Sequence, residues 1–587
     1  MITHKNPCVL CSGPYEYNRL SKIGRQKILR LLFIFQALIA AIAWLAWFIA
    51  AQDSKLGYFV QKSFFLPVPL EQVKNQVVNS FSLAEFPSWL ICLNDLRIPS
   101  GYQVFNHLSM LVFVIIYGFI FFKTVFPDFN FSQFKSFTEK QIQSKNNLFW
   151  LIAIAFISTI MLPANSSDIF GYISFGEQIV HYHQNPYSEI LANIENWRLD
   201  PLLGNMRWEY NPSPYGPIFT LICKFFVSIS WKNLWLSFFI FKIFNFICYL
   251  LLIYIFHYTL KYFPTAGTVA KLQFLRFQAG TSDSSRVWYL VALNPLLIIQ
   301  GLWNGHNDVL LAALCFAPVF FTIKAFSLKE NSNAETVDGE QSRVLFKFLK
   351  PKYLGFNLAI CLLILSVLIK YITIILIPLL LLWIWKRERY IPYYGLITGI
   401  LCFYFSSQYF NLFKIAYTEI SHNATLFHKS LFDVINTVFK LITKTDLPKS
   451  AVLISLAAYA LFYAYIFFKL FFSKTDKKKD HEDDENAEIR VCEQSIDLDF
   501  IKNLSLVYAV LLLIISPKFH SWYLISLLPF AAISHPRLCF ALSLGHLLSI
   551  TFIDQAHVLN YLLMTVVPVA QTYFYDPHSR SNSKVGV

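Results

Sequence analysis

Residues 165–217 read NSSDIFGYISFGEQIVHYHQNPYSEILANIENWRLDPLLGNMRWEYNPSPYGP and separate two apolar runs, at 149–163 and 218–229. The stretch is polar, rich in tyrosine and tryptophan, and interrupted by proline and glycine. It holds six acids against two bases, and the acid nearest the preceding apolar run is Asp168. A carboxylate just beyond a membrane span would lie at the water–lipid boundary, where it can meet a soluble and a lipid-borne substrate together. The alternative is an ordinary hydrophilic connecting loop, and the residue pattern leaves both interpretations open.

Composition places the chain among membrane proteins. Of its 587 residues, 56% are hydrophobic and 14% are charged, whereas soluble domains carry about 25% charged residues. Apolar runs of ~20 residues, the length that crosses a bilayer core, recur along the chain. This pattern predicts an all-α polytopic membrane protein with about 13–14 spans. The net charge of +14 is spread over alternate loops, which is an orientation signal of membrane proteins, so no nucleic-acid partner is expected.

Charge and hydropathy divide the chain into six parts. They are a cytoplasmic N-terminal tail (1–30), two N-terminal spans with their loops (31–146), a transmembrane core with the candidate catalytic loop 164–217 (147–472), a charged cytoplasmic linker predicted to be disordered (473–500), C-terminal spans (501–575) and a tail (576–587). Basic loops place both termini inside and loop 164–217 outside. Run 215–230 is predicted to be a half-membrane or re-entrant helix, because the loops before and after it require an odd number of crossings.

Cysteine usage gives little sign of a metal site. Cys8 and Cys11 form a lone CxxC pair, which without a second Cys/His pair is weak evidence for zinc. Most of the other cysteines lie inside apolar runs, as small apolar residues do. The sequence therefore predicts no metal and no cofactor.

Two features of the polar loop could carry chemistry. Asp168 and Tyr172 would share one face of a helix that begins at the Ser167-Asp168 pair, although Asp168 could instead be only a helix cap. Asn185-Pro186-Tyr187 and Tyr215-Gly216-Pro217 are rigid turns that could shape the wall of a pocket, or they could be turns and nothing more.

Polar clusters at three other span boundaries are predicted on the same face. His306-Asn307-Asp308 follows an apolar run, and polar residues at a membrane boundary are a functional hypothesis, the alternative being a hydrogen-bonded helix cap. Lys370 lies between two apolar runs and could hold a phosphate or extend to lipid head groups. The segment 516–523, SPKFHSWY, sets a cation and an imidazole beside aromatic residues at a span entrance, which makes contact with phosphate or sugar plausible.

Four segments then occur in a familiar order: SSDIFGYISFGEQIVHYHQNPY, YNPSPYGPIF, ALNPLLIIQGLWNGHNDVLLAAL and KFHSWYLISLLPF. This order resembles the GT-C glycosyltransferases, most closely the bacterial polyprenol-phosphate-mannose-dependent α-mannosyltransferases that elongate lipoglycans. It is similar, more distantly, to the eukaryotic mannosyltransferase that adds the first mannose of the GPI anchor. The resemblance covers 150–330 best, 355–385 loosely and 505–535 in pattern, and it does not cover the first 140 residues. The sequence differs from those families in two ways. It has two extra spans before the loop, and it lacks a DxD pair.

The resemblance implies an integral-membrane enzyme of the bacterial plasma membrane, with its active site on the external face. It would transfer a hexose, with mannose expected, from a polyprenyl-phosphate sugar to a lipid-linked glycan acceptor, with inversion and with Asp168 as the base. The implied substrate-binding residues are Tyr172, Asn185, Tyr187, Tyr215, His306, Asn307, Asp308, Lys370, Lys518, His520 and Trp522. Membrane lipids are the other expected partners. The alternatives are a transporter or flippase for a lipid-linked glycan or solute, and a glycan polymerase or ligase.

Overall fold

The computed structural model describes residues 145–161, 163, 166–204, 206, 208–262, 284–328, 350–410, 430–473 and 485–551. Within these ranges the chain is helical and no strand is present, which confirms the predicted all-α class. The two N-terminal spans, the CxxC pair and the final predicted span at 557–575 lie outside the described residues.

Short helices alternate with long ones along the chain. The α-helices are α1 (Lys145–Ile160), α2 (Asp168–Val180), α3 (Pro217–Ser228), α4 (Leu234–Lys261), α5 (Ser284–Ala292), α6 (Asp308–Ser327), α7 (Pro351–Val367), α8 (Leu376–Glu388), α9 (Tyr393–Phe410), α10 (Leu431–Thr443), α11 (Lys449–Phe472), α12 (Glu485–Val510), α13 (Leu528–Ser534) and α14 (Pro536–Thr551). Single turns of 3-10 helix occur at Leu191–Asn193 and Trp197–Leu199, longer ones at Tyr371–Ile375 and Ser521–Ser526, and π-helical segments at Leu297–Trp303 and Leu511–Ile515.

Four helices in the described ranges are long and apolar enough to cross a membrane, which supports a polytopic membrane protein. They are Leu234–Lys261, Asp308–Ser327, Ser450–Phe472 and Asp497–Ile515. Several other predicted spans are interrupted. The run at 287–303 breaks before Pro295 and resumes as a π-helix, and the run at 520–533 begins as a 3-10 helix. Irregular backbone of this kind survives at membrane depth only inside protein or beside a water-filled cavity.

Helix α6 lies at the centre of the bundle. It packs against α4, α7 and the 3-10 turn Ser521–Ser526, and fifteen of its residues are buried. Its first residue is Asp308, so the polar His306-Asn307-Asp308 turn is carried at the end of a largely buried helix. A site built on this end is therefore held by rigid neighbours on three sides.

The polar loop folds into the protein instead of standing in solvent. Helix α2 buries twelve of its thirteen residues and packs along α3. Helix α3 has twelve residues, so it spans about 18 Å, whereas a bilayer core is about 30 Å thick. That length agrees with the half-membrane helix predicted for 215–230. The sidedness of the loop stays a prediction.

A backbone contact explains the Tyr215-Gly216-Pro217 turn. The Gly216 N–H donates to the Ile369 carbonyl (2.8 Å) and the Ile218 N–H to the Leu368 carbonyl (3.0 Å). A Cβ on Gly216 would lie 2.2 Å from the Leu368 carbonyl oxygen, so only glycine permits this approach. Pro217 then starts α3 at a position that needs no N–H donor. The contact places Tyr215 beside the chain that carries Lys370.

Gly216→Ala is therefore expected to destabilise the protein. Overpacking a tight interior costs about 1–3 kcal/mol, and here the clash is with backbone that cannot rotate away. The melting temperature of the detergent-solubilised protein measures this loss. Gly171→Ala is the matched control, because a Cβ there would meet the sulfur of Met206 at an ordinary 3.4 Å. Equal melting temperatures for the two variants would contradict the interpretation.

Two parts of the chain differ from the sequence prediction. Helix α12 begins at Glu485, inside the predicted linker 473–500, so the prediction of disorder is wrong for 485–500. Asp497 is buried, accepts from Arg387 on α8 and from the Trp383 indole, and so ties α12 into the bundle. The high charge of the segment suggested disorder, because the partner of Asp497 lies about a hundred residues away in sequence. Helix α10 was also missed, since no element was predicted between 406 and 450.

Candidate active site

A cavity of about 600 Å³ opens where the polar ends of several helices meet. That volume is in the range of small-molecule sites, about 300–1,000 Å³. The structure brings seven of the predicted site residues to its wall. They are Asp168, Tyr215, Asp308, Lys370, Lys518, His520 and Trp522. These side chains come from five separate segments of sequence, which the interrupted helices bring to one place.

Asp168 is the first residue of α2 and is 5% exposed. Its Oδ1 accepts a hydrogen bond from the Ser166 hydroxyl (2.9 Å), and its own N–H donates back to Ser166 Oγ (3.2 Å). Oδ2 lies 3.1 Å from His306 Nδ1, at ion-pair distance although not aligned for a hydrogen bond. The carboxylate does not cap α2, because no side-chain cap bond forms at that end. It is left facing the cavity, held at one oxygen by a hydroxyl and at the other by an imidazole.

The charge state of Asp168 is set by opposing effects. Burial acts to raise the pKa of its carboxyl group, and this is the largest single effect. The His306 imidazole, the Ser166 hydroxyl and the Lys370 ammonium together outweigh burial and lower the pKa below its ordinary value. The group is therefore a carboxylate at neutral pH.

Three aromatic rings form a stack beside the carboxylate. The Trp522 indole lies between His306 (centroids 4.1 Å apart, planes 14°) and His520 (4.3 Å, 12°). When an imidazole in this stack is protonated, the indole face stabilises its charge. His306 is fully buried, and His520 lines the cavity. The stack thus connects the Asp168 side of the cavity to the segment that carries Lys518.

Lys370 forms an ion pair with Asp308 instead of extending to lipid head groups. Its Nζ donates to both Asp308 oxygens at 2.8 Å, and Nζ also lies 5.0 Å from the centre of the Tyr523 ring. Asp308 is 1% exposed, and this ammonium compensates its buried negative charge. Lys518 differs, because no carboxylate among the described residues lies within ion-pair distance of it.

Tyr172 and Asn307 support the cavity wall from behind. The Tyr172 hydroxyl accepts from the Asn307 N–H (3.2 Å) and donates to Asn307 Oδ1 (3.4 Å). Burial raises the pKa of Tyr172 well above its ordinary value, with further contributions from Asp168 and Asp308. The pair fixes the turn that carries His306 and Asp308, although neither residue lines the cavity.

The same turn is braced from the opposite side by Lys242 on α4. The amino group of this fully buried side chain donates to the carbonyls of Leu302 and Trp303, which end the π-helical segment. Gly305 follows with φ +80°, a conformation that glycine adopts without strain, and a Cβ there would meet Ile169 at 3.1 Å. Sequence analysis did not predict the supporting contact made by Lys242.

Asn185 and Tyr187 lie away from the cavity. Asn185 Oδ1 accepts from the Tyr187 N–H, as in an Asx turn, and the Tyr187 hydroxyl donates to the Tyr215 carbonyl (2.9 Å). The Tyr187 ring packs edge-on against Phe410. Their geometry supports the Tyr215 turn, and their predicted contact with substrate stays a prediction.

Two residues of the cavity wall had no sequence signal. Tyr508 lies within an apolar run, and Asn211 lies in the irregular part of the loop. Ser166, whose hydroxyl binds Asp168, was also missed, because the predicted helix began at the Ser167-Asp168 pair. The available clue was a serine two residues before a candidate carboxylate.

A second polar cluster holds the far end of α2. Glu177 lies 2.7 Å from His181 Nδ1 and 3.7 Å from Lys232 Nζ, and the same ammonium is 3.3 Å from Asp200. Burial raises the pKa of Glu177 against the opposing effect of His181. The cluster joins α2 to the loop and to the turn before α4, and it lies outside the lining of the cavity.

His306→Gln is expected to move the acidic limb of the pH–rate profile. Loss of the imidazole removes an effect that lowers the pKa of Asp168, so the carboxyl group protonates at a higher pH and the limb shifts upward. Profiles of kcat/KM against pH measure the shift. His520→Gln, which changes the outer ring of the stack, is the control and leaves the limb in place. An unmoved limb in the first variant would contradict the pairing.

Comparison with known proteins adds a family to this geometry. Residues 103–387 match the model of the MptA_B family, described as alpha-(1->6)-mannopyranosyltransferase, N-terminal domain. The chain is a membrane glycosyltransferase. The match confirms the resemblance to mannosyltransferases, and it starts earlier than that resemblance did, so it takes in the second predicted span. It covers a little under half of the 587 residues and ends before the segment that carries Lys518. No curated protein and no solved structure matches the chain.

Proposed function

We propose that this glycosyltransferase moves a mannosyl unit from a polyprenyl-phosphate donor to a hydroxyl of a membrane-attached glycan. The observation that carries the proposal is a carboxylate, Asp168, at the wall of a cavity that also presents Lys518, a cation with no carboxylate partner among the residues that the structure describes. The family match supports mannose as the sugar, and the family's description suggests an α-1,6 linkage. The proposed location is the bacterial plasma membrane, with the cavity opening to the external face.

In the proposed reaction the acceptor oxygen attacks the anomeric carbon. The bond from that carbon to the phosphate oxygen breaks, and the electron pair leaves with the phosphate. Asp168 takes the proton of the attacking hydroxyl, as a carboxylate of lowered pKa close to water can do. Lys518 and His520 stabilise the charge that develops on the phosphate. The atoms balance without a metal, and the absence of a metal requirement stays a prediction.

Direct displacement inverts the anomeric centre. Retention would need a second carboxylate free to form a covalent intermediate. Asp308 is the other carboxylate of the cavity wall, and both of its oxygens accept from Lys370. Asp308 is thus occupied as a partner of Lys370, which supports a single acting carboxylate and inversion.

Transfer by the purified protein in detergent tests the proposal. Polyprenyl-phosphate-mannose labelled in the sugar is incubated with the protein and a synthetic alkyl mannoside as acceptor. The enzyme moves label into the mannoside. A flippase moves a lipid between leaflets and changes no bond, so in detergent it would leave all label on the donor. Retention of label on the donor, with folded protein, overturns the proposed function.

A further inference from the structure

Helix α10 presents an apolar face that the described part of the chain does not cover. On a helical projection with 100° per residue, Leu431, Ile435, Val438 and Ile442 fall on one side, and the opposite side carries its polar residues. Val438 is 51% and Ile442 is 76% exposed. Exposed apolar patches of this kind mark contact with protein or membrane.

The polar face of α10 is bound to its own following turn. The Leu447 N–H donates to Asn436 Oδ1 (2.6 Å), and Lys440 forms an ion pair with Asp446 (3.0 Å). This turn leads into α11, whose apolar stretch Ser450–Phe472 is long enough to cross a bilayer and is only 17% buried in the protein. The apolar face of α10 therefore lies on the side opposite this turn. It is close to the start of α11, the span that faces lipid.

The start of α10 is attached to the cavity wall. The Ser430 hydroxyl donates to the Pro517 carbonyl (2.6 Å), and α10 packs on the π-helical segment Leu511–Ile515. Pro517 and its neighbour Lys518 both line the cavity. A lipid chain leaving a phosphate at Lys518 would thus pass close to the first turn of α10.

We infer that α10 lies flat in the lipid interface and guides the hydrocarbon chain of the donor toward Lys518. The short connection from Thr443 to the start of α11 keeps α10 at the membrane surface, and helices with a strong apolar face bind there with that face in the acyl boundary. Hydrocarbon, continuous with that around α11, is the occupant of the exposed face. The guiding role rests on the proposed function, whereas the lipid contact does not.

Fluorescence quenching tests the lipid contact without any activity assay. A cysteine is placed at Ile442 or, as the matched control on the polar face, at Thr437, and each full-length variant is labelled with bimane in lipid vesicles. The signal of the unsubstituted chain, labelled alike, is subtracted because the chain has its own cysteines. Lipids with a nitroxide on the acyl chain quench the label at 442 about threefold more than at 437, and aqueous iodide shows the reverse order. Equal quenching at both sites, or shielding of 442 from both quenchers, would overturn the lipid contact; shielding would mean that protein covers the face.

Kinetics test the guiding role. Val438→Gln/Ile442→Gln raises KM about tenfold for a long-chain polyprenyl donor and leaves KM for a water-soluble short-chain analogue unchanged. Thr437→Gln changes neither value. Equal changes for both donors, or no change for either, would overturn the guiding role. If the unsubstituted protein transferred nothing from either donor, both the proposed function and the guiding role would be wrong. The lipid contact would then be tested by the quenching experiment.

Discussion

Asp168→Asn lowers mannosyl transfer by about 10²–10⁴-fold, the contribution that general base catalysis makes to a rate. Asparagine keeps the shape of the side chain and can still accept from the Ser166 hydroxyl. What it loses is the negative charge next to His306 and the ability to take a proton. The fold is expected to persist, because α2 is buried along its length independently of this charge.

The control for this variant is another acid of the same loop. Glu195 is exposed and does not line the cavity, so Glu195→Gln is expected to transfer at the normal rate. Both variants are compared at equal amounts of membrane-inserted protein. Activity of more than a few per cent in Asp168→Asn would remove Asp168 from the role of base.

Lys370→Met is expected to have the second large effect, on stability as well as on transfer. The substitution leaves the Asp308 carboxylate, which is 1% exposed, without its cation. Breaking a buried ion pair at one side costs about 3–5 kcal/mol, because the remaining charge is uncompensated. The melting temperature of Lys370→Met therefore falls together with its activity.

A double variant separates the two roles of Lys370. In Asp308→Asn/Lys370→Met no buried charge is left, so the melting temperature recovers toward that of the unsubstituted protein. If Lys370 also contributes to stabilising the leaving phosphate, transfer stays reduced by about 10²-fold or more in the recovered protein. Recovery of transfer along with stability would show that Lys370 serves only to hold Asp308.

Residues at the ends of apolar runs were predictable from sequence. Four polar residues lie at the boundaries of predicted spans, where polar residues indicate a functional site: Asp168, His306, Lys370 and His520. The structure brings all four to one region. The bilayer makes this possible, because it penalises polar groups that have no partner. The family resemblance added the chemistry that the pattern alone left open.

Partners distant in sequence were not predictable. The pairing of Lys370 with Asp308 joins residues 62 positions apart, and Lys242 acts through backbone carbonyls that no motif reveals. In sequence, Tyr187 cannot be distinguished from a tyrosine that stacks on a sugar. In the structure its hydroxyl donates to the Tyr215 carbonyl and supports that turn.

The sequence prediction also failed for two segments that mix apolar and charged residues. Helix α10 is shorter than a membrane span, so a search for long apolar runs passed over it. Helix α12 begins with charged residues, and one acid of this helix, Asp497, pairs with Arg387 on another helix.

The stereochemistry of a single transfer event tests the central claim most directly. Purified protein is given polyprenyl-phosphate-mannose and an alkyl mannoside, and the anomeric configuration of the new bond is read by nuclear magnetic resonance. Displacement by a hydroxyl that Asp168 deprotonates predicts a product of opposite anomeric configuration to the donor, formed by the unsubstituted protein and lost in Asp168→Asn. A product that keeps the donor's configuration, or one formed equally well by both proteins, would contradict it.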